Sequence, residues 1–128
     1  MLAVRIGVIG TGFMGRTWTE VATNHVDETE VVAVAGGRRA PDLARDYNAA
    51  LEPDPGSLLR RDDVDLVVVA TNPDTHLLYV VAAAEAGKHT LVEKPMAQTT
   101  AEADAMVAAH QRAKTVLANL EKESRPAG

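Results

Sequence analysis

Short apolar runs alternate with longer amphipathic stretches along the chain. The apolar runs favour strands at residues 3–9, 30–35, 66–70 and 89–93, with a weaker strand at 115–118. Runs that are apolar at nearly every position are typical of strands buried on both faces of a sheet. Because helical patterns separate the strands, their order predicts βαβ units. The pattern therefore predicts an α/β fold with a doubly wound, mainly parallel sheet.

Periodicity and terminal residues define the helices between these strands. In the first helix, apolar residues including Met14 and Trp18 recur at spacings of three and four on one face. Gly87 ends the fourth helix, because a residue without a Cβ readily takes the left-handed closing conformation. Thr99 and Glu102 form a capping-box pattern before the fifth helix. The predicted helices cover residues 12–24, 41–47, 56–61, 74–87 and 100–114.

Length and composition fit one globular domain. The chain has 128 residues, of which 46% are hydrophobic and 24% are charged, and this balance allows a single core. We assign residues 1–118 to the domain and expect the polar tail at 119–128 to be frayed. The formal net charge of −5 disfavours a nucleic-acid surface, because such a surface needs a concentrated basic face.

Cysteine usage and hydropathy bear on the compartment. The sequence has no cysteine, which excludes disulfides, thiolate zinc sites and thiol nucleophiles and is common in reducing compartments. No apolar stretch approaches the roughly 20 residues of a membrane span, and the first residues lack the features of a signal peptide. We therefore expect a cytoplasmic protein with no membrane segment and no metal site.

The strongest motif is a G-x-G-x-x-G pattern that closes the first predicted strand and opens the first helix. Gly10 allows the tight turn, Gly12 lets the backbone approach phosphates, and Gly15 lets the helix pack against the strand. The free amides of Phe13 and Met14, at the positive end of the helix dipole, would hold an anion. The motif predicts the pyrophosphate site of a dinucleotide. A structural turn is the alternative, since the motif alone is weak evidence.

The end of the second predicted strand bears on the choice between NADP and NAD. An acidic residue about 20 positions after the glycines would bind the adenosine ribose of NAD, but the sequence there is Ala35-Gly36-Gly37-Arg38-Arg39. Gly37 and its neighbour leave space, and Arg38 or Arg39 can pair with a 2′-phosphate through a planar fork of donors. NADP is therefore slightly favoured. The alternative is that both arginines are solvated at a helix entrance.

Polar residues follow the predicted strand at 66–70, at the edge where doubly wound sheets bind ligands. Thr71 and Asn72 come first, and Pro73 forces an extended conformation on Asn72 before the next helix. His76 falls in the first turn of that helix and is placed to face the cleft. The alternative is an exposed or capping histidine.

The tripeptide Glu93-Lys94-Pro95 follows the next predicted strand. An ammonium group at Lys94 can bond a nicotinamide ribose and a substrate hydroxyl, while Pro95 fixes the turn that aims it. A solvated surface turn is the alternative. In register with the other motifs, the tripeptide indicates one shared cleft.

These motifs together resemble the amino-terminal domain of the Gfo/Idh/MocA oxidoreductases. The matching segments are Gly10-Thr11-Gly12-Phe13-Met14-Gly15, Thr71-Asn72-Pro73 with His76, Ala86-Gly87-Lys88-His89 and Glu93-Lys94-Pro95. They occur in the family's order and spacing over residues 3–113. Members use NAD or NADP to oxidise or reduce sugars, inositols, related polyols or other small carbonyl compounds.

The resemblance implies roles for individual residues at the nicotinamide end. It implies that Lys94 contacts the nicotinamide ribose and assists catalysis, and that Glu93 lines the nicotinamide end of the cofactor. It also implies that Thr71, Asn72 and His76 lie near the same ribose.

Family members continue into a second α/β domain that supplies the substrate pocket, and this sequence contains no match to it. We therefore expect a truncated or split oxidoreductase that binds NAD(P) with little or no turnover by itself. Two alternatives are a non-catalytic nucleotide sensor or partner subunit, and another Rossmann protein such as a methyltransferase. Self-association through the face that a second domain would cover is also expected.

Overall fold

The computed structural model describes residues 3–119, which form one parallel sheet with helices on both faces. The strands are β1 (Val4–Ile9), β2 (Thr29–Ala35), β3 (Ala50–Leu51), β4 (Leu66–Val69), β5 (His89–Val92) and β6 (Leu117–Asn119). The helices are α1 (Phe13–Asn24), α2 (Ala40–Tyr47), α3 (Pro55–Leu59), α4 (His76–Glu85) and α5 (Thr100–Ala113), with a 3₁₀ turn at Pro73–Thr75.

The strand order is β3-β2-β1-β4-β5-β6, and every pair of neighbours is parallel. The chain moves outward from β1 to β3 and then crosses back to β4, on the other side of β1. The carboxyl ends of β1 and β4 therefore flank a topological switch point, where open α/β sheets bind ligands. The predicted fold class is confirmed.

The core consists of two apolar clusters, one on each face of the sheet. One packs α3, α4 and α5 against the strands, and the other packs α1 and α2. On β4, Val67 and Val69 belong to the first cluster and Val68 to the second. Successive side chains of a strand point to opposite faces, so an uninterrupted apolar run is what this position requires.

Local capping fixes the start of α5. The Thr99 hydroxyl accepts from the Glu102 amide at 3.1 Å, as the capping-box pattern predicts. The Glu102 carboxylate accepts from the Gln98 amide at 3.0 Å, one residue before the cap. These bonds satisfy amides that have no partner within the helix.

Several predicted boundaries are wrong. The two-residue strand Ala50–Leu51 was not predicted because its apolar run is too short to carry a period. The predicted helix at 74–87 is a 3₁₀ turn followed by α4, which ends at Glu85, and the predicted helix at 56–61 is α3, Pro55–Leu59. Asn119 lies in β6, so the predicted frayed tail begins too early. The rest of that tail, 120–128, lies outside the described residues.

Within residues 3–119, no helix has the length and hydropathy needed to cross a membrane. The same part of the chain contains no group of three His, Asp or Glu side chains placed to hold a metal ion.

Candidate dinucleotide site

Four loops meet at the carboxyl ends of the strands. We call them together the carboxyl edge: residues 10–15 after β1, 36–39 after β2, 70–76 after β4 and 93–96 after β5. They contain all the predicted site residues.

Gly10 lies where the end of β1 meets the end of β4. Its φ is +102°, and its amide donates to the Ala35 carbonyl at 2.9 Å. A Cβ here would lie 2.6 Å from the Ala70 carbonyl oxygen. Both the positive φ and the close approach require glycine, so this residue turns the chain sharply at the switch point.

Gly15 and Gly12 differ in what surrounds them. A Cβ on Gly15 would lie 1.8 Å from the Gly10 carbonyl oxygen, so only glycine lets α1 start this close to β1. A Cβ on Gly12 would meet no atom within 4 Å. Only glycine therefore fits at position 15, whereas position 12 borders space that no neighbouring protein atom fills.

The first turn of α1 presents backbone donors to that space. Gly12 is the N-cap and supplies no side-chain acceptor, and Phe13 is 78% exposed. The first amides of a helix lack intrahelical partners, and the helix dipole makes this end attractive to anions. The amides of Phe13 and Met14 are therefore suited to a phosphate beside Gly12.

The loop after β2 is held against the glycine loop. The Thr11 hydroxyl donates to the Gly36 carbonyl at 2.6 Å, and a Cβ on Gly37 would lie 2.9 Å from the same hydroxyl oxygen. Arg38 and Arg39 follow, both exposed, and neither forms an ion pair with a described residue. The turn thus brings two exposed guanidinium groups to this part of the edge.

An ion pair joins α1 to α2 beside the glycine loop. Arg16 donates to the Asp46 carboxylate at 2.8 Å and lies 5.7 Å from the centre of the Tyr47 ring. The hydrogen bond from Arg16 lowers the pKa of the Asp46 carboxyl. This contact fixes the two helices whose first turns border the predicted adenosine half of the site.

His76 is the first residue of α4 and lies between the loop after β4 and the loop after β5. Its side chain is fully buried, so the alternative of an exposed histidine is wrong. Its Nε2 lies 3.0 Å from the Thr71 carbonyl oxygen, and its Nδ1 lies 3.0 Å from that of Pro95 and 3.2 Å from that of Met96. The ring contacts backbone rather than open cleft, and it joins the loop after β4 to the loop after β5.

Hydrogen bonds between its own residues hold the loop after β4. The Thr75 hydroxyl lies 2.6 Å from the Thr71 hydroxyl and donates to the Asn72 carbonyl at 2.7 Å. Asn72 remains exposed and Thr71 half-buried. Both residues therefore lie beside the switch point, and their contact with a cofactor stays a prediction.

The loop after β5 separates two neighbouring charges. The Glu93 amide donates to the Val69 carbonyl at 3.1 Å, and the Glu93 carboxylate accepts from the indole N–H of Trp18. Lys94 is exposed and forms no ion pair with a described residue. The ammonium group therefore has no charged partner among residues 3–119, while the carboxylate is held against α1.

Sequence reasoning missed the contacts of Thr11, Thr75 and Trp18. The alternation of side chains along a strand did indicate the side of the sheet for the Trp18 contact, because Leu91 and Glu93 are two residues apart and share a face. Leu91 packs in the cluster that contains Trp18. No local pattern indicated the bonds of the two threonine hydroxyls.

The chain has relatives among known proteins. It matches the family described as "Oxidoreductase family, NAD-binding Rossmann fold" over residues 4–120. It is 39% identical over 117 residues to inositol 2-dehydrogenase 1 of Saccharopolyspora erythraea, a match that covers 88% of this chain and 34% of that protein. The chain thus spans about a third of the length of such relatives.

Solved structures of oxidoreductases also have folds similar to that of this chain. GenD2 from gentamicin A biosynthesis, in complex with NAD, has a TM-score of 0.88 at 32% identity, over 93% of this chain and 34% of that one. The myo-inositol dehydrogenase of Lactobacillus casei, with NAD(H) and myo-inositol, has a TM-score of 0.86 at 35% identity, over 93% and 37%. Biliverdin reductase of Synechocystis, with biliverdin and NADP+, has a TM-score of 0.83 at 26% identity, over 91% and 37%.

Proposed function

Because this chain belongs to the Gfo/Idh/MocA oxidoreductases, whose NAD-binding Rossmann domain it matches over residues 4–120, we propose that it binds NAD(P) along the carboxyl edge. The pyrophosphate lies at the start of α1. The observation that carries this placement is the contrast within the glycine loop, where Gly12 borders open space beside an uncapped helix terminus. An anion there gains backbone donors without displacing any side chain.

NADP is the preferred cofactor in this proposal. Two exposed arginines, Arg38 and Arg39, follow a Gly-Gly turn in which no carboxylate is present to bond a ribose 2′-hydroxyl. A guanidinium group can pair with a phosphate through two parallel hydrogen bonds. The relatives do not distinguish NADP from NAD, because GenD2 is described with NAD and the biliverdin reductase with NADP+.

In the proposed activity, a hydride moves between the cofactor and a polyol or small carbonyl substrate, as the inositol dehydrogenases among the relatives suggest. The cofactor supplies the hydride chemistry. Lys94, exposed beside the switch point, bonds the nicotinamide ribose and moves a proton at the substrate hydroxyl. His76 and Thr75 hold the loops around it.

Turnover by this chain alone is expected to be very low. A substrate must be held against the nicotinamide, since orientation accounts for about 7–11 kcal/mol of a typical barrier. Lys94 is exposed, and burial away from water favours proton transfer between a side chain and a substrate. A second domain would supply both the pocket and that burial.

The direct test uses Trp18, the only tryptophan of the sequence, which lies in α1 one turn beyond the glycine loop. Its emission should change and saturate on titration with NADPH, and with NADH at higher concentration. Ligand that binds only the folded chain should also raise the melting temperature. Unchanged emission and melting temperature at millimolar concentrations of both cofactors would refute the proposal.

A second candidate, a nucleotide-sensing or partner-subunit module, is favoured by an apolar cavity of about 290 Å³ between α1 and the sheet. Val4 and Val26, which line it, are 41% and 44% exposed. Sedimentation velocity across a hundredfold range of protein concentration, with and without NADPH, distinguishes this module from the oxidoreductase domain. Ligand-dependent association would favour the module, and a monomer under every condition would count against it.

A further inference from the structure

Two half-buried side chains connect the ends of the candidate site. The indole N–H of Trp18, in α1, donates to Oε2 of Glu93, which directly precedes Lys94. The two residues are 75 positions apart. The bond joins the helix that begins at the glycine loop to the turn that carries the lysine.

The strand geometry explains why Glu93 points toward α1. Along β5, Leu91 packs in the cluster with Trp18, and Val92 packs in the opposite cluster. Glu93 continues the alternation and returns to the Trp18 face. Its amide donates to the Val69 carbonyl at 3.1 Å, which holds the backbone as an extension of the sheet. The carboxylate is therefore held between α1 and the sheet.

The next residue is placed differently. Lys94 is exposed and forms no ion pair with a described residue, although it adjoins a carboxylate. The Trp18 hydrogen bond engages Oε2 of Glu93, and no described carboxylate pairs with the ammonium group. A hydrogen bond to a carboxylate is stronger than one between neutral groups, and partial burial limits competition from water.

We infer that Trp18 and Glu93 form a latch that sets the position of Lys94 relative to the glycine loop. Both are positioning residues, in contrast to the direct contact with the nicotinamide end that the family resemblance implies for Glu93. The inference rests on the proposed function, because the distance that the latch fixes separates the pyrophosphate and nicotinamide ends of one bound cofactor.

The test compares two ligands in calorimetric titrations of the full chain. NADPH spans both ends of the site, whereas 2′-phospho-ADP-ribose carries the pyrophosphate but lacks the nicotinamide. Trp18→Phe keeps an aromatic ring in the cluster and removes the donor. It should weaken NADPH binding about three- to tenfold, the size expected for one charge-assisted hydrogen bond, and should change 2′-phospho-ADP-ribose binding less than twofold.

Val21→Ala is the matched control, since Val21 lies in the same cavity wall as Trp18 and its side chain has no polar atom. It should alter both affinities equally and less than twofold. Equal weakening of both ligands by Trp18→Phe would make Trp18 merely structural and overturn the inference. An unchanged NADPH affinity in that variant would overturn it as well.

A measurement on the unliganded chain tests the latch independently of cofactor binding. Trp18 emission of the unliganded chain should shift in Glu93→Leu, because the indole loses its charged acceptor, and should stay unchanged in Lys94→Met. An identical spectrum in Glu93→Leu would disprove the latch even if NADPH binds. Absence of cofactor binding to the wild type would instead refute the proposed function, and a shifted spectrum would still support the latch itself.

Discussion

The two edges of the sheet differ in how their cationic side chains are paired. At the amino edge, where β1 and β4 begin, the Asp65 carboxylate accepts from the Arg5 amide at 2.9 Å and from its guanidinium at 3.1 and 3.0 Å. At the carboxyl edge, Arg38, Arg39 and Lys94 form no ion pair with a described residue. The amides that start α1 have no capping side chain there either.

Under the proposed function, this difference separates charges that stabilise the fold from charges that are available to a ligand. Arg5 and Asp65 satisfy each other across neighbouring strands and need no further partner. The carboxyl edge instead carries exposed donors that have no ion-pair partner among residues 3–119, in loops that are held in place through Thr11, Thr75 and His76. Such donors suit an anionic ligand, and perturbation of the two edges should have separable effects on folding and on binding.

The largest effect should come from Gly15→Ala. Its Cβ would lie 1.8 Å from the Gly10 carbonyl oxygen, so either α1 or β1 must shift. We expect destabilisation at the upper end of the roughly 1–3 kcal/mol that overpacking costs, measured by urea unfolding. Gly12→Ala is the matched control, because its Cβ meets no atom within 4 Å and its φ of −76° suits any residue. Equal stability of the two variants would show that the glycine loop is not constrained as described.

Gly12→Asp should affect binding without affecting the fold. A carboxylate at this N-cap can accept from the first-turn amides and supports the helix. It also occupies the proposed phosphate position, where like charges cost several kcal/mol, so NADPH affinity should fall about 100-fold or more. The melting temperature, checked by circular dichroism, should stay the same or rise slightly. Undiminished NADPH binding would place the pyrophosphate elsewhere.

Substitution of the two arginines tests the cofactor preference. Arg38→Ala and Arg39→Ala, made singly and together, should weaken NADPH binding about tenfold for whichever residue pairs with the 2′-phosphate. NADH affinity should change less than twofold, which makes NADH the internal control in each titration. Parallel losses for both cofactors would instead assign the arginines to general attraction of anions.

The smallest effect is expected at the amino edge. Hydrogen bonds from the Arg5 guanidinium and amide lower the pKa of the Asp65 carboxyl, so the pair stabilises the fold above the unfolded pKa of about 3.9. That contribution is lost as pH falls through the still lower folded value.

Asp65→Asn should therefore lower the melting temperature by a few degrees at pH 7. The difference from wild type should shrink as pH falls below about 4. NADPH affinity should be unaffected, because Asp65 lies at the edge opposite the site. A loss of binding at unchanged stability would contradict the division between the edges.

The sequence was most informative where local rules act. The glycine loop and the capping box at Thr99 depend on residues within a few positions, and both are found as predicted. The alternation of apolar runs was sufficient for the parallel sheet, since strands buried on both faces need apolar side chains at every position.

The sequence was least informative where distant residues meet. His76 is buried among carbonyls of two loops, one of them about twenty positions away, and no spacing along the chain indicates such a contact. The Trp18–Glu93 bond depends on how closely α1 packs against the end of β5. The short strand Ala50–Leu51 forms because β2 offers it a paired edge, which its own composition does not reveal.

The central claim, that the carboxyl edge binds NAD(P), is tested most directly by amide chemical shifts of the isotopically labelled chain during titration with NADPH. The account predicts saturable shifts for Gly10, Gly12, Phe13 and Met14, with the Arg5 and Asp65 amides unmoved. Saturable shifts centred on the amino edge, or no shifts at millimolar NADPH and NADH, would contradict it.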